Sequence, residues 1–389
     1  MALLRELGQS FLGQRGLSDS VDFLARKGAY KLMQIKIETV PEDERKSKPE
    51  DESALRFGEV FADHMFIMKW NETDGWYDAK IKKFEPLQLS PAAIVLHYAN
   101  EIFEGMKAYR TPDGKIQLFR PRMNFERMNR SAERMVLPQI DIDFVMKSLK
   151  KLLVLDQDWI PTASGTSLYI RPTMIGVDPF IGVRPPSEVL FYIIIGPVGP
   201  YFPKGFKPVD ILVETTYVRA TGKGGTGDAK CGGNYAGSLK ASTLAKKKGY
   251  AQVLWLDAEK EYVEEVGTMN MMFVFEDEIV TAPLDGSILP GITRDSIISI
   301  CKNWGYNVSE RKLSIQEVVD GVKSGKLKEA FGCGTAAIIT PTGSLNYKNK
   351  DYVINNKEIG ELTQRLYDYL IGIQYGLLPD EYEWMEFVH

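Results

Sequence analysis

Residues 222–235 read GKGGTGDAKCGGNY, six glycines in fourteen positions with Lys230 between two glycine clusters. The β-branched run 211–218 ahead of them predicts a strand, and 236–248, closed by Gly249, predicts a helix. A lysine in a strand-to-helix loop with so little side-chain bulk suits two kinds of chemistry. It can bind phosphate, or it can form a Schiff base with a carbonyl. Residues 222–227 match GxGxxG, but more loop follows the third glycine. Residues 245–255 also lack the acidic side chain that a dinucleotide-binding unit carries on its next strand. Lys223 is followed by Gly224, not Ser or Thr, which excludes a Walker A loop. Taken alone, Lys230 reads as a surface lysine; company elsewhere in the chain has to give it a role.

Outward from this loop, 389 residues exceed one ordinary core and predict two domains. The boundary falls in GPVGPYFPKGFKP at 196–208, whose proline and glycine density continues neither strand nor helix. The division is therefore an N-terminal extension or arm at 1–56, including the charged EDERKSKPEDES at 42–53, and a small α/β domain at 57–195. A linker at 196–208 leads to a larger domain at 209–389 that carries Lys230. In the first part, extended runs are expected at 61–70, 80–89, 167–174 and 188–195, and helices at 91–103, 122–135 and 142–155. A hairpin joins 106–109 to 116–119 across Thr111-Pro112-Asp113-Gly114. In the second, strands at 211–218, 251–257, 270–275, 278–281 and a pair within 327–340 alternate with helices at 236–248, 292–304, 314–323 and 356–373.

A composition 44% hydrophobic and 26% charged is that of a soluble globular protein, and a net charge of -4 argues against nucleic acid or an anionic membrane as a partner. No apolar run reaches the roughly 18 residues that span a bilayer. Cys231, Cys301 and Cys333 form no CxxC pair, and His64, His97 and His389 are the only histidines. That argues against a disulfide framework, a metal site or a Ser-His-Asp triad, and for a reducing, cytoplasmic setting. Residues 1–32 read as a non-catalytic extension, with an organellar matrix as the alternative if they are a transit peptide.

The company for Lys230 comes from motifs in a fixed order. GDAKCGGNY (227–235), EEVGTMN (264–270), LPGITRDS (289–296) and GCGTAA (332–337) follow LHYANEIFEGMKAYR (96–110), LFRPRMNFERMNRSAERM (118–135) and GTSLYIRP (165–172). Together they resemble the branched-chain amino acid aminotransferases, pyridoxal-phosphate enzymes of fold type IV, over residues 57–386. The resemblance implies an α/β (α+β) fold of two domains with pyridoxal 5'-phosphate in the cleft between them. It also implies reversible transamination of leucine, isoleucine or valine with 2-oxoglutarate, and a homodimer whose site borrows a loop from the partner subunit. The rivals are a D-amino acid aminotransferase, an aminodeoxychorismate lyase, or a protein that kept the fold and lost catalysis.

The same resemblance assigns roles residue by residue. Lys230 is the catalytic Schiff-base lysine. Glu265 faces the pyridine nitrogen and keeps the ring protonated, and Tyr235 bonds its phenolic oxygen. Strand alternation places neighbouring Glu264 on the opposite, solvated face. Arg127, which shares its helix with Arg122, Arg130 and Arg134 and reads from spacing as a surface residue, becomes the phosphate arginine. The N–H groups of Ile292 and Thr293 open a helix after Pro290-Gly291, a ready anion site. Thr268 and Thr335 belong to the cofactor side. Thr335 and Ala336 offer N–H groups to the substrate carboxylate; Tyr98, Phe103, Tyr169 and Met269 wall the side-chain pocket. Arg171 receives the distal carboxylate of glutamate or 2-oxoglutarate, and Tyr201 closes over the site as a lid. The glycines of 222–235 leave room for a planar cofactor and a swinging lysine. The CxxC pair of some eukaryotic members is absent after Gly334-Thr335, so thiol regulation does not carry over, and Cys231 receives no role.

Overall fold

A computed structural model describes residues 33–199, 205–220 and 222–388; residues 1–32 and Tyr201 lie outside these. Among the described residues the strands form two nine-stranded sheets. The first contains β1 (Lys36–Ile37), β2 (His64–Asn71), β3 (Gly75–Lys83), β4 (Glu101–Phe103), β5 (Met106–Arg110), β6 (Ile116–Phe119), β7 (Ser167–Gly176) and β8 (Glu188–Val198). The hairpin forms where its turn residues predict: Gly114 takes φ +83° and donates to the Thr111 carbonyl, which sets Ala108 opposite Leu118. Helices α2 (Pro121–Met135) and α3 (Ile142–Leu155) cover one face; α1 is the single turn Val95–Tyr98. Pro121 opens α2 without needing a donor, and Asp141 caps α3 by accepting from the Phe144 N–H at 2.9 Å. Phe125, Met128, Leu149 and Leu152 are fully buried against Phe66, Ile170 and Phe191, each contributing roughly 1.5–3 kcal/mol of burial.

The second sheet contains β9 (Val209–Val213), β10 (Gln252–Leu256), β11 (Val263–Val266), β12 (Met269–Phe275), β13 (Ile279–Thr281), β14 (Val308–Glu310), β15 (Leu327–Gly334), β16 (Ile338–Tyr347) and β17 (Lys350–Val353). Its order is β11-β10-β9-β16-β15-β12-β13-β14, and a further β11–β12 pairing closes β9–β12, β15 and β16 on themselves. β9 and β10 are parallel and joined through α4 (Gly232–Lys247), so the 222–231 loop leaves the carboxyl end of β9. That is where α/β units place their ligands. Helices α5 (Ile292–Asn303), α6 (Ile315–Ser324) and α7 (Glu361–Gln374) complete this half. The two sheets share a core in which Tyr109 and Phe119 pack with Ile292, Phe331 and Leu366, and the Tyr109 hydroxyl donates to Gln374 at 2.9 Å. The last strand, β18 (Met385–Phe387), returns to the first sheet beside β6.

Several expectations from the sequence are corrected. The helix at 91–103 stops after one turn at Ala99, which is left-handed at φ 52°; Ile102 is then drawn into the core as part of β4, paired with Met174. Tertiary pairing overrides the helical pattern there. The 211–218 strand ends at Val213, because the Glu214 carboxylate accepts from the N–H groups of Thr216 and Tyr217 and turns the chain. Helix α4 starts at Gly232, not residue 236, and the last helix starts at Glu361, after left-handed Asn356. β8 runs through Pro197 to Val198 despite the expected break at 196. Its ladder with β2 ends at Ile194, with one last bond from the Ala62 N–H to the Ile195 carbonyl at 2.9 Å, so at Pro197 that side of β8 needs no donor.

Candidate active site

Lys230 is held from both sides by the first sheet and its helices. Its N–H donates to Ser131 Oγ of α2 at 2.9 Å, its carbonyl accepts from the Phe103 N–H at 3.1 Å, and Cys231 bridges to Ile102. The side chain is half-buried and free of this clamp. Its Nζ lies 2.8 Å from the Tyr235 hydroxyl and 4.8 Å from the Phe103 ring centroid. Tyr235 reaches back because side chains in the first turn of α4 tilt toward the helix N-terminus. Two of the loop glycines serve close packing: a Cβ on Gly227 would sit 2.1 Å from the Ser287 carbonyl oxygen, and one on Gly232 would sit 2.5 Å from Glu101 Oε2, whereas Gly222, Gly224 and Gly233 face open space. Cys231 is the buried residue just before α4.

Glu265 is buried across the same cleft. Its Oε1 accepts from the Leu289 N–H at 2.7 Å, and its Oε2 lies 3.3 Å from Arg219 Nε, an ion-pair contact without hydrogen-bond geometry. Burial pushes its carboxyl above the usual range, opposed first by the Arg219 charge. Arg219, which the motif reading missed, ties three segments together: its Nη2 donates to the carbonyls of Gly227 and Ser287, each at 2.8 Å. Glu264 is corrected: it is buried, not solvated. Burial raises its carboxyl to about 7, against the hydrogen bond from Ser287 and the charge of Arg219. All four residues of β11 are buried, so alternation leaves neither carboxylate a solvated face.

Arg127 is buried too, contrary to its spacing on α2. It forms a two-pronged ion pair with fully buried Glu104, Nε to Oε1 at 2.7 Å and Nη2 to Oε2 at 2.8 Å, while Nη1 donates to the Pro290 carbonyl at 3.0 Å. Burial alone would raise the Glu104 carboxyl, but the charge and hydrogen bonds of Arg127 more than offset it and hold the group below the ordinary carboxylate range. The pair sets a guanidinium beside the start of α5. There Gly291 is the N-cap and no side chain caps the first N–H groups, those of Ile292 and Thr293. An arginine, an uncapped helix start and a threonine hydroxyl form a donor set suited to a phosphate dianion. Asn124 donates to Glu104 at 2.8 Å. With Arg127 and Ser131 it makes a polar stripe at helical spacing on the buried face of α2, a sequence signal that identifies the site-facing positions.

Lys230, Tyr235, Glu265, Arg127, Ile292 and Thr293 line one cavity of about 370 Å³, with Phe57, Phe103, Tyr169, Arg171, Thr268, Met269 and the turn Thr335-Ala336-Ala337 among its other walls. The family model for class IV amino-transferases matches residues 101–345. Branched-chain-amino-acid aminotransferase 2 of Bacillus subtilis (strain 168) is 52% identical over 341 residues, which are 87% of this chain and 93% of that one. This chain belongs to the branched-chain family of class IV aminotransferases. Among solved structures, the branched-chain aminotransferase of Escherichia coli superposes with a TM-score of 0.68 at 28% identity, covering 84% of this chain and 99% of that one. A second solved branched-chain amino acid aminotransferase, that of T.th. with pyridoxamine 5'-phosphate, gives 0.66 at 25% identity, covering 83% of this chain and 98% of that one.

The fold is thus the mixed α/β fold type IV of this aminotransferase family, and its cofactor is pyridoxal 5'-phosphate. The chain's own residues fit that group: an amine beside a phenol, a buried carboxylate across the cleft, and the phosphate donor set at the start of α5. Phe57 is a wall residue missed from the sequence; it packs edge-on against Tyr169 at 4.7 Å between ring centroids. Arg171 lies over the Phe103 ring at 4.7 Å and donates to the Tyr169 hydroxyl at 3.1 Å, leaving its buried Nε without a partner. Tyr98 is corrected. It is 40% exposed, is absent from the cavity wall, and its hydroxyl donates to the Ile181 carbonyl. The chain turns away from the cleft at Ala99, which carries Tyr98 outward. All three cysteines are free and buried, and burial pushes Cys301 and Cys333 up to about 12. Among the described residues, no helix is long and apolar enough to cross a membrane.

Proposed function

We propose that this aminotransferase moves the amino group reversibly between leucine, isoleucine or valine and 2-oxoglutarate, releasing branched-chain 2-oxo acids and glutamate. The observation that carries the reading is the single cleft in which Lys230 and Tyr235 stand between buried Glu265, the Arg127–α5 donor set and an apolar aromatic wall. Bound pyridoxal phosphate supplies the aldehyde that takes the amino group and the protonated ring that takes up the electron pair released at Cα. Lys230 holds that group covalently at rest and carries the proton taken from the substrate Cα. Tyr235 orients its amine, and Glu265 keeps a proton on the ring nitrogen. Arg127, Ile292, Thr293, Thr268 and Thr335 anchor the phosphate. The N–H groups of Thr335 and Ala336 take the substrate carboxylate. Phe103, Tyr169 and Met269 exclude water around its branched side chain, and Arg171, with a buried Nε left unsatisfied among the described residues, receives the distal carboxylate of the acceptor. We assign residues 57–195 and 209–389 to two domains, with β18 given back to the first. The free buried cysteines favour the cytoplasm, a reducing compartment.

A panel of amino donors scored by 2-oxoglutarate consumption tests this reading. Leucine, isoleucine and valine should turn over well and D-alanine poorly; strong D-alanine turnover, or none with leucine, overturns it.

Tyr98 reaches a substrate through a second copy of the chain. It stands on an apolar ridge with Leu96, Phe180, Ile181 and Val183, the last 85% exposed, and a homodimer that covers this ridge would lend Tyr98 to the partner's cavity. Val183→Asp should then shift the sedimentation coefficient from dimer toward monomer and lower kcat/KM with it. A monomeric wild-type enzyme that is fully active would refute the loan.

A further inference from the structure

Lys107 stands on β5 directly opposite Tyr169 of β7, so it shares the sheet face that looks into the cleft. It is 6% exposed, and its Nζ donates to the Ala336 carbonyl at 2.9 Å. No carboxylate lines either of the two small cavities it borders, which are walled by Thr335 and by Ala336 and Ala337. A buried ammonium without a counter-ion is costly, and a methionine would fill the same volume without that cost. The charge therefore calls for an anion nearby. The turn it touches is also unusual. Residues 335–337 connect paired Gly334 and Ile338, and Ile338 takes φ +62°. A β-branched residue in that left-handed region is strained. Such strain persists when its surroundings over-determine it. Here the Ile338 side chain is anchored in the core shared by the two sheets, and Ala336 is pinned by Lys107.

We propose that Lys107 is a positioning residue for the substrate carboxylate: it fixes the 335–337 turn, ahead of strained Ile338, through the Ala336 carbonyl and places a buried positive charge behind the N–H groups that receive the carboxylate. The inference rests on the carboxylate role proposed above for Thr335 and Ala336. A charge on the far side of the turn strengthens the hold on an anion in the cleft and does nothing for a neutral ligand of the same shape.

The group also carries a pH signature. Burial pushes the Lys107 ammonium down to about 8. The titratable groups around it are Tyr169 opposite it on β7, Lys207 ahead of β9, and three further phenols, Tyr109 on its own strand and Tyr367 and Tyr375 on and after α7. Burial raises all three phenols, so they stay neutral through this range. The charge is present below about pH 8 and lost above it, so the preference for an anion should fall as pH rises through that value.

The test compares 4-methylvalerate with its neutral amide, 4-methylpentanamide, as ligands of the holoenzyme across pH 6–10. Wild type should bind the acid about tenfold or more tighter than the amide at low pH, a preference that falls as pH passes about 8. Lys107→Met should flatten the step, bring the two ligands close together, and raise KM for leucine about tenfold with little change in kcat, while cofactor absorbance is retained. Lys107→Arg, which keeps the charge at every pH, should keep the preference and lose the step; it also carries the test should the methionine variant fail to fold. A step that survives in Lys107→Arg, or a full preference in Lys107→Met, overturns the role of Lys107 alone. Equal binding of acid and amide by wild type would overturn the carboxylate assignment of the turn, and this inference with it.

Discussion

Replacing Lys230 with alanine is expected to lower transamination by more than about 10⁴-fold while leaving the fold in place. The loss follows from removal of the amine that stands 2.8 Å from Tyr235 in the cleft. The intact fold follows from how position 230 is held. Ser131 and Phe103 bind its backbone N–H and carbonyl, and neither contact needs the lysine side chain. Circular dichroism and the melting temperature of the cofactor-free variant should therefore match those of cofactor-free wild type. The visible absorbance of lysine-bound pyridoxal phosphate should be gone, because among the described residues lining the cavity Lys230 is the only lysine. Residual turnover within tenfold of wild type would remove Lys230 from the chemistry.

The largest expected effect on stability comes from Glu104→Ala. Glu104 is fully buried and accepts both prongs of the Arg127 guanidinium, so its removal strands a charge with only Pro290 as partner. Breaking a buried pair this way costs about 3–5 kcal/mol, roughly 5 °C of melting temperature for a chain of this size. Arg127 would also lose its fixed aim at the start of α5, and cofactor affinity should fall at least about tenfold. Glu104→Ala combined with Arg127→Met separates the two effects. It should recover most of the stability, since the stranded charge is gone, and none of the cofactor affinity. A melting temperature for Glu104→Ala within a degree or so of wild type would mean that the guanidinium finds solvent, and would remove the pair as an anchor.

Much of the fold could be read from local signals. The hairpin around Gly114 and helix α3, Ile142–Leu155, form where turn chemistry and apolar spacing predict. The expected helix at 91–103 failed because Ile102 gains more from pairing with Met174 in the first sheet than from another helical turn. The expected break at 196 failed because the tolerance of β8 for Pro197 depends on where its neighbour β2 ends, a distance of more than a hundred residues along the chain. Arg127 and Glu264 were misjudged from spacing for the same reason. Whether a polar side chain meets water depends on what covers its face, and α2 and β11 are covered by segments remote in sequence.

The order and content of the motifs around Lys230 determined by themselves the family, the cofactor and the residues that supply an amine, a phenol, a carboxylate and a guanidinium, because reactivity belongs to the side chain and travels with it. Tertiary structure alone decided which of those groups are buried and paired. It joined Arg127 to Glu104 and Glu265 to Arg219, took Tyr98 out of its own cleft, and put Lys107 behind the 335–337 turn. Charge state and aim depend on dielectric and on neighbours within a few ångströms, and those neighbours come from segments that only folding brings together.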